Sequence, residues 1–467
     1  MPMMTSNVGK QQISSNSPIL AALIGRPNVG KSSLFNRILG RRQSVVENEP
    51  GTTRDRSFAS VEHGGNQFIL ADTAGMFAGQ LDELAQAADV QARAALADSD
   101  LVLFVVDVTT GITTEDMSVA DLLRRGNKPV ITVVNKCDNE IRNTDVPEFN
   151  RLGLGDPVPT SATQGFGIEK LLGAITKYAT SDTSVGTGLD MPSLAIVGRP
   201  NAGKSSLFNS IVGEERALVS EIPGTTRDAI DTVVCEKEYG TEMRIVDTAG
   251  LRRRGRVKEG VERHSVLRSL GAIRRADVCV LLVDASEGAT DQDAHIAGFA
   301  LENDRGLIIT ANKWDMVIGD DHAVRKAQES LLWRFRFCAH APLLKISALT
   351  GMNVDRILST ALTVRTDMGK SIATPQLNRF MARLVNSQSL PSRKGRVSKF
   401  RYAVQTSTRP PTFHMFFSDP RQVRASYLRY IENSLRERYG FDGSPVKIVP
   451  RKSSQRGGQG QIMGVDS

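Results

Sequence analysis

Cysteine is scarce in this 467-residue chain. Cys137, Cys235, Cys279 and Cys338 each stand alone, with no C-x-x-C pair. That excludes a disulfide framework and offers no zinc-ligand spacing. Aromatic residues make up only 5% of the chain, and no apolar run approaches the ~20 residues needed to cross a bilayer. The opening stretch, Met1 to Pro18, is polar and has no hydrophobic segment ahead of a small-residue cleavage site, so a secretory leader is not indicated. A cytoplasmic protein is expected. With 40% apolar and 24% charged residues, the composition also excludes collagenous, low-complexity and wholly disordered chains. The length is about three times a typical ~150-residue domain, so two or three domains are expected.

Charge is unevenly placed. Residues 368–467 hold five Lys and thirteen Arg against five acidic residues, a net +13, which leaves −5 for residues 1–367 of the +8 total. The same segment carries ten of the 25 aromatic residues. Basic residues interleaved with aromatics suit phosphate backbones and unstacked bases, although a solvated basic surface around an ordinary core has the same composition.

The rest of the chain is a duplication. GRPNVGKSSLFNRILG from Gly25 recurs as GRPNAGKSSLFNSIVG from Gly198, an offset of 173 that PGTTRD at Pro50 and Pro223 shares. The offset widens to 175 for DTAG (Asp72, Asp247), 177 for NKCD and NKWD (Asn135, Asn312) and 186 for the Ser-Ala pairs (Ser161, Ser347). Nine extra residues therefore lie in the second copy between Asn312 and Ser347, a stretch that contains the amphipathic run Asp321 to His340 and is read as surface elaboration. Within each copy short apolar runs alternate with helical patterns, which predicts a mostly parallel sheet with helices on both faces. Strands are expected at Ile19 to Ile24, Phe68 to Ala71, Leu101 to Val106 and Val130 to Val134, then at Leu194 to Val197, Arg244 to Val246, Val278 to Val283 and Leu307 to Thr310. The expected fold is α/β: two tandem P-loop domains over residues 19–180 and 193–367, joined by a linker at 181–192. A smaller α+β basic domain follows over 368–452, and the leader 1–18 and tail 453–467 are expected to be mobile.

The motifs follow the strands, where open α/β sheets place ligands. Gly25-Arg26-Pro27-Asn28-Val29-Gly30-Lys31-Ser32 and Gly198-Arg199-Pro200-Asn201-Ala202-Gly203-Lys204-Ser205 are P-loops, whose glycines let backbone N–H groups wrap phosphate oxygens. Lys31 and Lys204 would neutralise the β- and γ-phosphates, and Ser32 and Ser205 would offer hydroxyls to Mg²⁺. Asp72-Thr73-Ala74-Gly75 and Asp247-Thr248-Ala249-Gly250 each end a strand about 40 residues later. The Asp can hold the Mg²⁺ shell through water, and the Gly N–H can meet the γ-phosphate. Asn135-Lys136-Cys137-Asp138 and Asn312-Lys313-Trp314-Asp315 choose the base. A carboxylate in the ring plane accepts from both N1–H and the 2-amino group of guanine, whereas adenine offers no amine there. Ser161-Ala162 and Ser347-Ala348 would offer a backbone N–H to the guanine carbonyl. Between P-loop and DTAG, Gly51 to Asp55 and Gly224 to Asp228 are candidate switch segments in which a threonine ligates Mg²⁺ only while the γ-phosphate is present. That threonine is taken as Thr53 and, by symmetry, Thr226.

Five motifs in tandem with a basic domain behind them resemble the EngA/Der family of bacterial GTPases in ribosome assembly, over about Leu20 to Lys452. Pro410 to Phe413, the apolar run Met415 to Phe417 and Ser426 to Glu432 look like that family's KH-like domain. No G-x-x-G clamp is present; Lys394-Gly395-Arg396 is the nearest approach. The resemblance implies two GTP/GDP sites and hydrolysis to GDP and phosphate. It also implies stimulation by K⁺, because Asn28 and Asn201 match the P-loop asparagine that such GTPases use to bind it. The residues after each DTAG are apolar, Met76 and Leu251, where Ras-type GTPases carry a water-orienting glutamine, so hydrolysis is expected to be organised otherwise. The function implied is a GTP-driven switch in large-subunit assembly, with GTP-dependent domain rearrangement controlling binding to rRNA and the large ribosomal subunit or its precursor. A monomer is expected, and neither membrane nor DNA is an expected partner. The basic stretch Arg252 to Arg254 with Arg256 and Lys258 would contact RNA or a neighbouring domain. Two alternatives stay open: an RNA-binding assembly factor in which one nucleotide site is structural, and a GTPase serving another RNA or a membrane event.

Overall fold

The structure is a computed structural model that describes residues 18–40, 57–76, 84–139, 144–181, 191–214, 231–236, 240–248, 251, 265–388, 390 and 398–453. The chain divides into two compact units, one carrying the elements up to Ser181 and the other those from Ser193 onward.

The first unit runs β1 (Ile19–Ile24), α1 (Lys31–Gly40), β2 (Phe58–His63), β3 (Asn66–Asp72), α2 (Thr73–Met76), α3 (Leu84–Asp98), β4 (Leu101–Asp107), α4 (Thr114–Arg125), β5 (Val130–Asn135), β6 (Val158–Pro159) and α5 (Ile168–Ser181). Its six-stranded sheet has the order β2-β3-β1-β4-β5-β6. Only the β2–β3 pair is antiparallel. Successive residues of a strand point to opposite faces, and here each face has its own apolar cover. Ala21, Leu23, Leu103 and Val105 meet Leu34 and Phe35 of α1 with Leu171 and Ile175 of α5. Ala22, Ile24, Phe104 and Val106 meet Ala88 and Ala92 of α3 with Val119 and Leu123 of α4. Burial on both faces is why these strands read as unbroken apolar runs rather than as alternation.

The second unit repeats the plan with β7 (Ser193–Gly198), α6 (Lys204–Glu214), β8 (Thr232–Cys235), β9 (Glu242–Ile245), α7 (Ser265–Arg275), β10 (Val278–Asp284), α8 (Asp291–Glu302), β11 (Gly306–Asn312), α9 (Asp321–Arg334), β12 (Leu343–Lys345) and α10 (Arg356–Met368), in the order β12-β11-β10-β7-β9-β8. Each expected strand is present. Several run one or two residues further than the apolar pattern, so that Asp72, Asn135 and Asn312 are themselves the last residues of strands. The edge strands β6, β8 and β12 are two to four residues long and β2 mixes apolar with polar residues, so none makes the long apolar run that marks the central strands. The second copy's insertion forms α9, where the described residues of the first copy form the 3-10 turn Val146–Leu152. It is not surface alone, because Ala327, Leu331, Phe335 and Cys338 are buried, while Leu332 and Trp333 stay exposed.

The basic segment folds as α11 (Thr374–Ser387), β13 (Phe400–Thr408), β14 (Pro411–Phe417), α12 (Ala425–Tyr439) and β15 (Lys447–Lys452). Its three-stranded sheet β13-β14-β15 is antiparallel at the first pair and parallel at the second. Leu377 and Met381 of α11 and Ile431 and Leu435 of α12 cover one sheet face at Ala403, Phe413, Met415 and Phe417. The loop after α12 docks this domain onto the second α/β sheet. Leu307 N–H donates to the Gly443 carbonyl and Gly443 N–H donates to that of His340, both at 2.8 Å, and Phe441 N–H donates to Asp367 Oδ2 at 3.1 Å. Gly443 has φ +67°, and a Cβ there would stand 2.7 Å from the Leu307 carbonyl oxygen, so the approach requires glycine.

Candidate nucleotide sites

Each P-loop leaves the middle strand of its sheet and enters a helix at the lysine, so the backbone N–H groups of that helix end open toward the crevice at the strands' carboxyl ends. Four glycines are required by space. A Cβ on Gly25 or Gly198 would collide with the carbonyl of Val105 or Leu282. One on Gly30 or Gly203 would collide with the side-chain amide of Asn135 or Asn312. All four also have positive φ, between +94° and +147°, a region that L side chains rarely adopt. Asn28 and Asn201 take left-handed backbone at φ 65° and 63°, and both are exposed at the loop tip.

Lys31 Nζ donates to the carbonyls of Gly25 (2.6 Å) and Arg26 (2.7 Å); Lys204 Nζ does the same to Gly198 (2.8 Å) and Arg199 (2.6 Å). The ammonium is thereby held across the mouth of its own loop. Burial lowers the Lys31 pKa to about 8, opposed by the nearby Asp72 carboxylate and helped by Arg26. An anion placed in the loop would favour the charged form.

Asn135 joins the phosphate and base ends. Its Nδ2 donates to the Val29 carbonyl at 2.9 Å, and its Oδ1 accepts from Ala162 N–H at 3.2 Å. Asn312 repeats this with Ala202 and Ala348, both at 2.8 Å. Lys136 and Lys313, in left-handed backbone, pair with Asp107 (2.6 Å) and Asp284 (2.5 Å) at the ends of β4 and β10. Burial alone would raise these two carboxyls, but hydrogen bonds from the lysine and from Thr109 or Ser286 hold them below the usual carboxylate range. Asp138 Oδ1 accepts from Ser161 (2.6 Å) and Thr163 (2.8 Å). At the matching place in the second copy, Asp315 Oδ1 is buried with no hydrogen-bond partner. Cys137 and Trp314 are buried beside their motifs, with N–H groups donating to Thr160 and Ile346, both at 3.0 Å.

Around the DTAG aspartates the copies differ. Ser32 Oγ donates to Asp72 Oδ2 at 2.6 Å, and Asp72 Oδ1 accepts from Ala74 N–H at 3.0 Å. Asp247 instead has φ 58°, its N–H donates to Asp231 at 3.0 Å, and Arg268 lies 3.9 Å from its carboxylate. Thr73 Oγ1 is 2.6 Å from the Leu23 carbonyl, and Thr248 pairs with Thr232 at 2.9 Å. Gly75 and Met76 lie in α2, Leu251 is buried, and Ser205 is buried at the start of α6. Thr53, Thr226, Ala249, Gly250, the Arg252 to Lys258 stretch and Lys394 to Arg396 lie outside the described residues, as do most of the linker, the leader and the tail.

Arg26 and Arg199 do not turn into the crevice. They pair with Asp116 (2.9 Å) and Asp293 (3.0 Å), each the third residue of its helix and the closing member of a capping box begun by Thr113 or Thr290. The two Asp–Lys pairs and these two Asp–Arg pairs are the members that motif reading missed. The repeat itself carries the signal, since Asp107, Thr113 and Asp116 recur at the same offset of 177 as the NKxD motif.

The description "50S ribosome-binding GTPase" matches residues 20–136 and again 193–313, and the elongation factor Tu GTP-binding domain matches 264–367. Residues 371–451 match the KH-domain-like C-terminal region of EngA bacterial GTPase enzymes. The GTPase Der of Chloroflexus aggregans is 45% identical over 444 residues, 94% of this chain and 98% of that one. The chain belongs to the GTPase Der family. The GTPase Der of Moorella thermoacetica is likewise 45% identical, over 94% of this chain and 99% of its own. Among solved structures, the FeoB G-domain of Methanococcus jannaschii is 27% identical over 35% of this chain, with a TM-score of 0.27. As a Der-family protein the chain is a GTP-binding switch that hydrolyses GTP to GDP and phosphate, built as two tandem P-loop GTPase domains and a C-terminal KH-like domain. No described helix is long and apolar enough to cross a membrane.

Proposed function

We propose that this GTPase acts in the cytoplasm on the large ribosomal subunit or its precursor, binding rRNA through its basic C-terminal domain, with GTP-dependent domain rearrangement gating that binding. The observation that carries the reading is the pair of asparagines, Asn135 and Asn312. Each ties a phosphate loop to a base-reading loop in its own copy, ahead of a KH-like domain of net +13.

In this reading the P-loop N–H groups, with Lys31 and Lys204, take the β- and γ-phosphates. Asp138 and Asp315 accept from guanine, and the unpaired Asp315 oxygen is an acceptor that an N–H would satisfy. Mg²⁺ fits the donors present. Ser32 and Asp72 bring a hydroxyl and a carboxylate oxygen within 2.6 Å of each other, the hard oxygen set this ion prefers, with Ser205 and Asp247 as counterparts. Thr53 and Thr226 complete that set from the switch segments, and Gly75 and Gly250 offer N–H groups to the γ-phosphate. The ion when bound neutralises charge on the phosphates. The exposed Asn28 and Asn201 would hold K⁺, which when bound would supply positive charge beside the phosphates as an arginine finger does. The side chains present after DTAG, Met76 and Leu251, cannot orient water, which leaves that task to switch backbone.

The test is co-sedimentation of the protein with ribosomal subunits in K⁺ buffer over a salt series, with GDP against a non-hydrolysable GTP analogue. Large-subunit binding only with the analogue, weakening steeply with salt, supports the switch. Equal binding with both nucleotides removes the gate, and no subunit binding removes the partner. Equal turnover in Na⁺ and K⁺ removes the potassium role.

A further inference from the structure

The outward face of the β13-β14-β15 sheet carries side chains that neither nucleotide site uses. Its register aligns Tyr402, Phe416 and Arg451 in one row across the three strands, and Val404, His414 and Val449 in the next. Their sequence neighbours Ala403, Phe413, Met415 and Phe417 are fully buried beneath the helices, so strand alternation turns the two rows away from the core. The rings of Tyr402 and Phe416 stack with centroids 4.2 Å apart and planes 12° apart, and His414 meets Phe416 edge-on at 6.5 Å. Tyr402 is 44% exposed, and Arg401 and Arg451 are exposed at the two outer strands. The His414 imidazole is held below its usual pKa by partial burial and by Arg451, so at neutral pH it adds a flat uncharged ring. Stacked rings bordered by guanidinium groups match the two parts of a single-stranded nucleic acid, its bases and its phosphates.

We infer that this sheet face is a stacking platform for unpaired bases of an RNA strand, with Tyr402 and Phe416 as the stacking rings and Arg451 taking an adjacent phosphate. The inference rests on the rRNA-binding reading and locates it on a surface that needs no G-x-x-G loop. The net +13 of this segment favours a polyanion over an apolar protein partner.

The experiment is fluorescence anisotropy of the full chain with a labelled oligouridylate of about ten nucleotides, a span that one such surface can cover. A duplex RNA of the same length serves as competitor. Tyr402→Ala and the pair Tyr402→Ala with Phe416→Ala are expected to weaken binding at least about tenfold, with the salt slope unchanged. Tyr402→Phe should retain the affinity, and Arg451→Ala should reduce the salt slope by about one. Thermal unfolding checks that each variant folds, and Tyr402→Ala, the more exposed ring, carries the test alone if the double variant does not. Wild-type binding with equal affinity in Tyr402→Ala overturns the platform and leaves the RNA reading standing. Equal competition by duplex RNA overturns the role of unpaired bases. No RNA binding by the wild type overturns the RNA reading and the platform with it.

Discussion

Thr163 and Leu349 occupy the same place in the two base-reading loops, two residues beyond Ser161 and Ser347. The hydroxyl of Thr163 steadies Asp138 at 2.8 Å, whereas Leu349 is 85% exposed and leaves Asp315 with a buried oxygen unpartnered. An unsatisfied buried carboxylate oxygen is costly, so the second site gains more from an N–H donor than a prepaired acid would. Asp315→Asn replaces an acceptor with a donor and is expected to weaken GTP at that site about a hundredfold or more, while xanthosine triphosphate, with a carbonyl at C2, gains. Competition titrations with the two nucleotides read this out, and unchanged GTP preference would sink the base assignment. Lys31 and Lys204 each bridge two carbonyls of their own loop and are the cations closest to where the phosphates sit in the proposed reading. Lys31→Ala and Lys204→Ala made separately should each remove that site's share of steady-state turnover, a loss of about a hundredfold per site as for other deleted charge-stabilising donors. A variant that turns over like wild type would mark its site as structural.

At the scale of elements, α4 and α8 begin alike. Asp116 accepts from both Thr113 N–H and Oγ1 at the helix end while pairing with Arg26, and its side chain is fully buried. One carboxylate thus fixes the helix start and the P-loop flank together. Asp116→Ala removes the cap and leaves Arg26 partly buried without its partner, which should destabilise the first unit by about 2–5 kcal/mol. Urea unfolding followed by a probe placed in that unit would show it, and a change under about 0.5 kcal/mol would rule the coupling out. This device also marks the limit of sequence reading. The P-loops, DTAG and NKxD were legible because fixed spacing and duplication made chance matches improbable, and the central strands because burial on both faces leaves an unbroken apolar run. Arg26 and Arg199 lie inside the P-loop motif, and their guanidinium groups turn to an acid about 90 residues away. Spacing reports neighbours along the chain and does not report which way a long side chain turns. Asp107 and Asp284 escaped notice for a similar reason, since a lone acid ending a strand looks like a turn until its lysine partner is seen across the loop.

Across the second unit, the KH-like domain and its GTPase domain share one junction, and nothing in the sequence announces it. Asp442-Gly443 reads as an ordinary turn, yet Gly443 exchanges backbone hydrogen bonds with Leu307 and His340, and Arg436 donates to the carbonyls of Phe441 (2.6 Å) and Ser444 (2.8 Å). His340 sits at this junction, and burial followed by repulsion from Arg436 lowers its pKa from 6.5 to about 3. The folded junction therefore holds a neutral imidazole, while the unfolded chain takes up a proton below its ordinary value. The stabilising contribution is fully present above pH 6.5 and falls as pH drops from 6.5 toward about 3, at about 1.4 kcal/mol per unit of pH once the unfolded histidine is charged. At pH 5 the loss should be about 2 kcal/mol relative to pH 7.5. Both tryptophans, Trp314 and Trp333, belong to this unit, so intrinsic tryptophan fluorescence during denaturant unfolding follows it apart from the first. His340→Gln, neutral at every pH, should flatten that dependence by one proton between pH 6.5 and 5. Parallel curves for the two proteins would show that His340 titrates at the junction as it does in the unfolded chain.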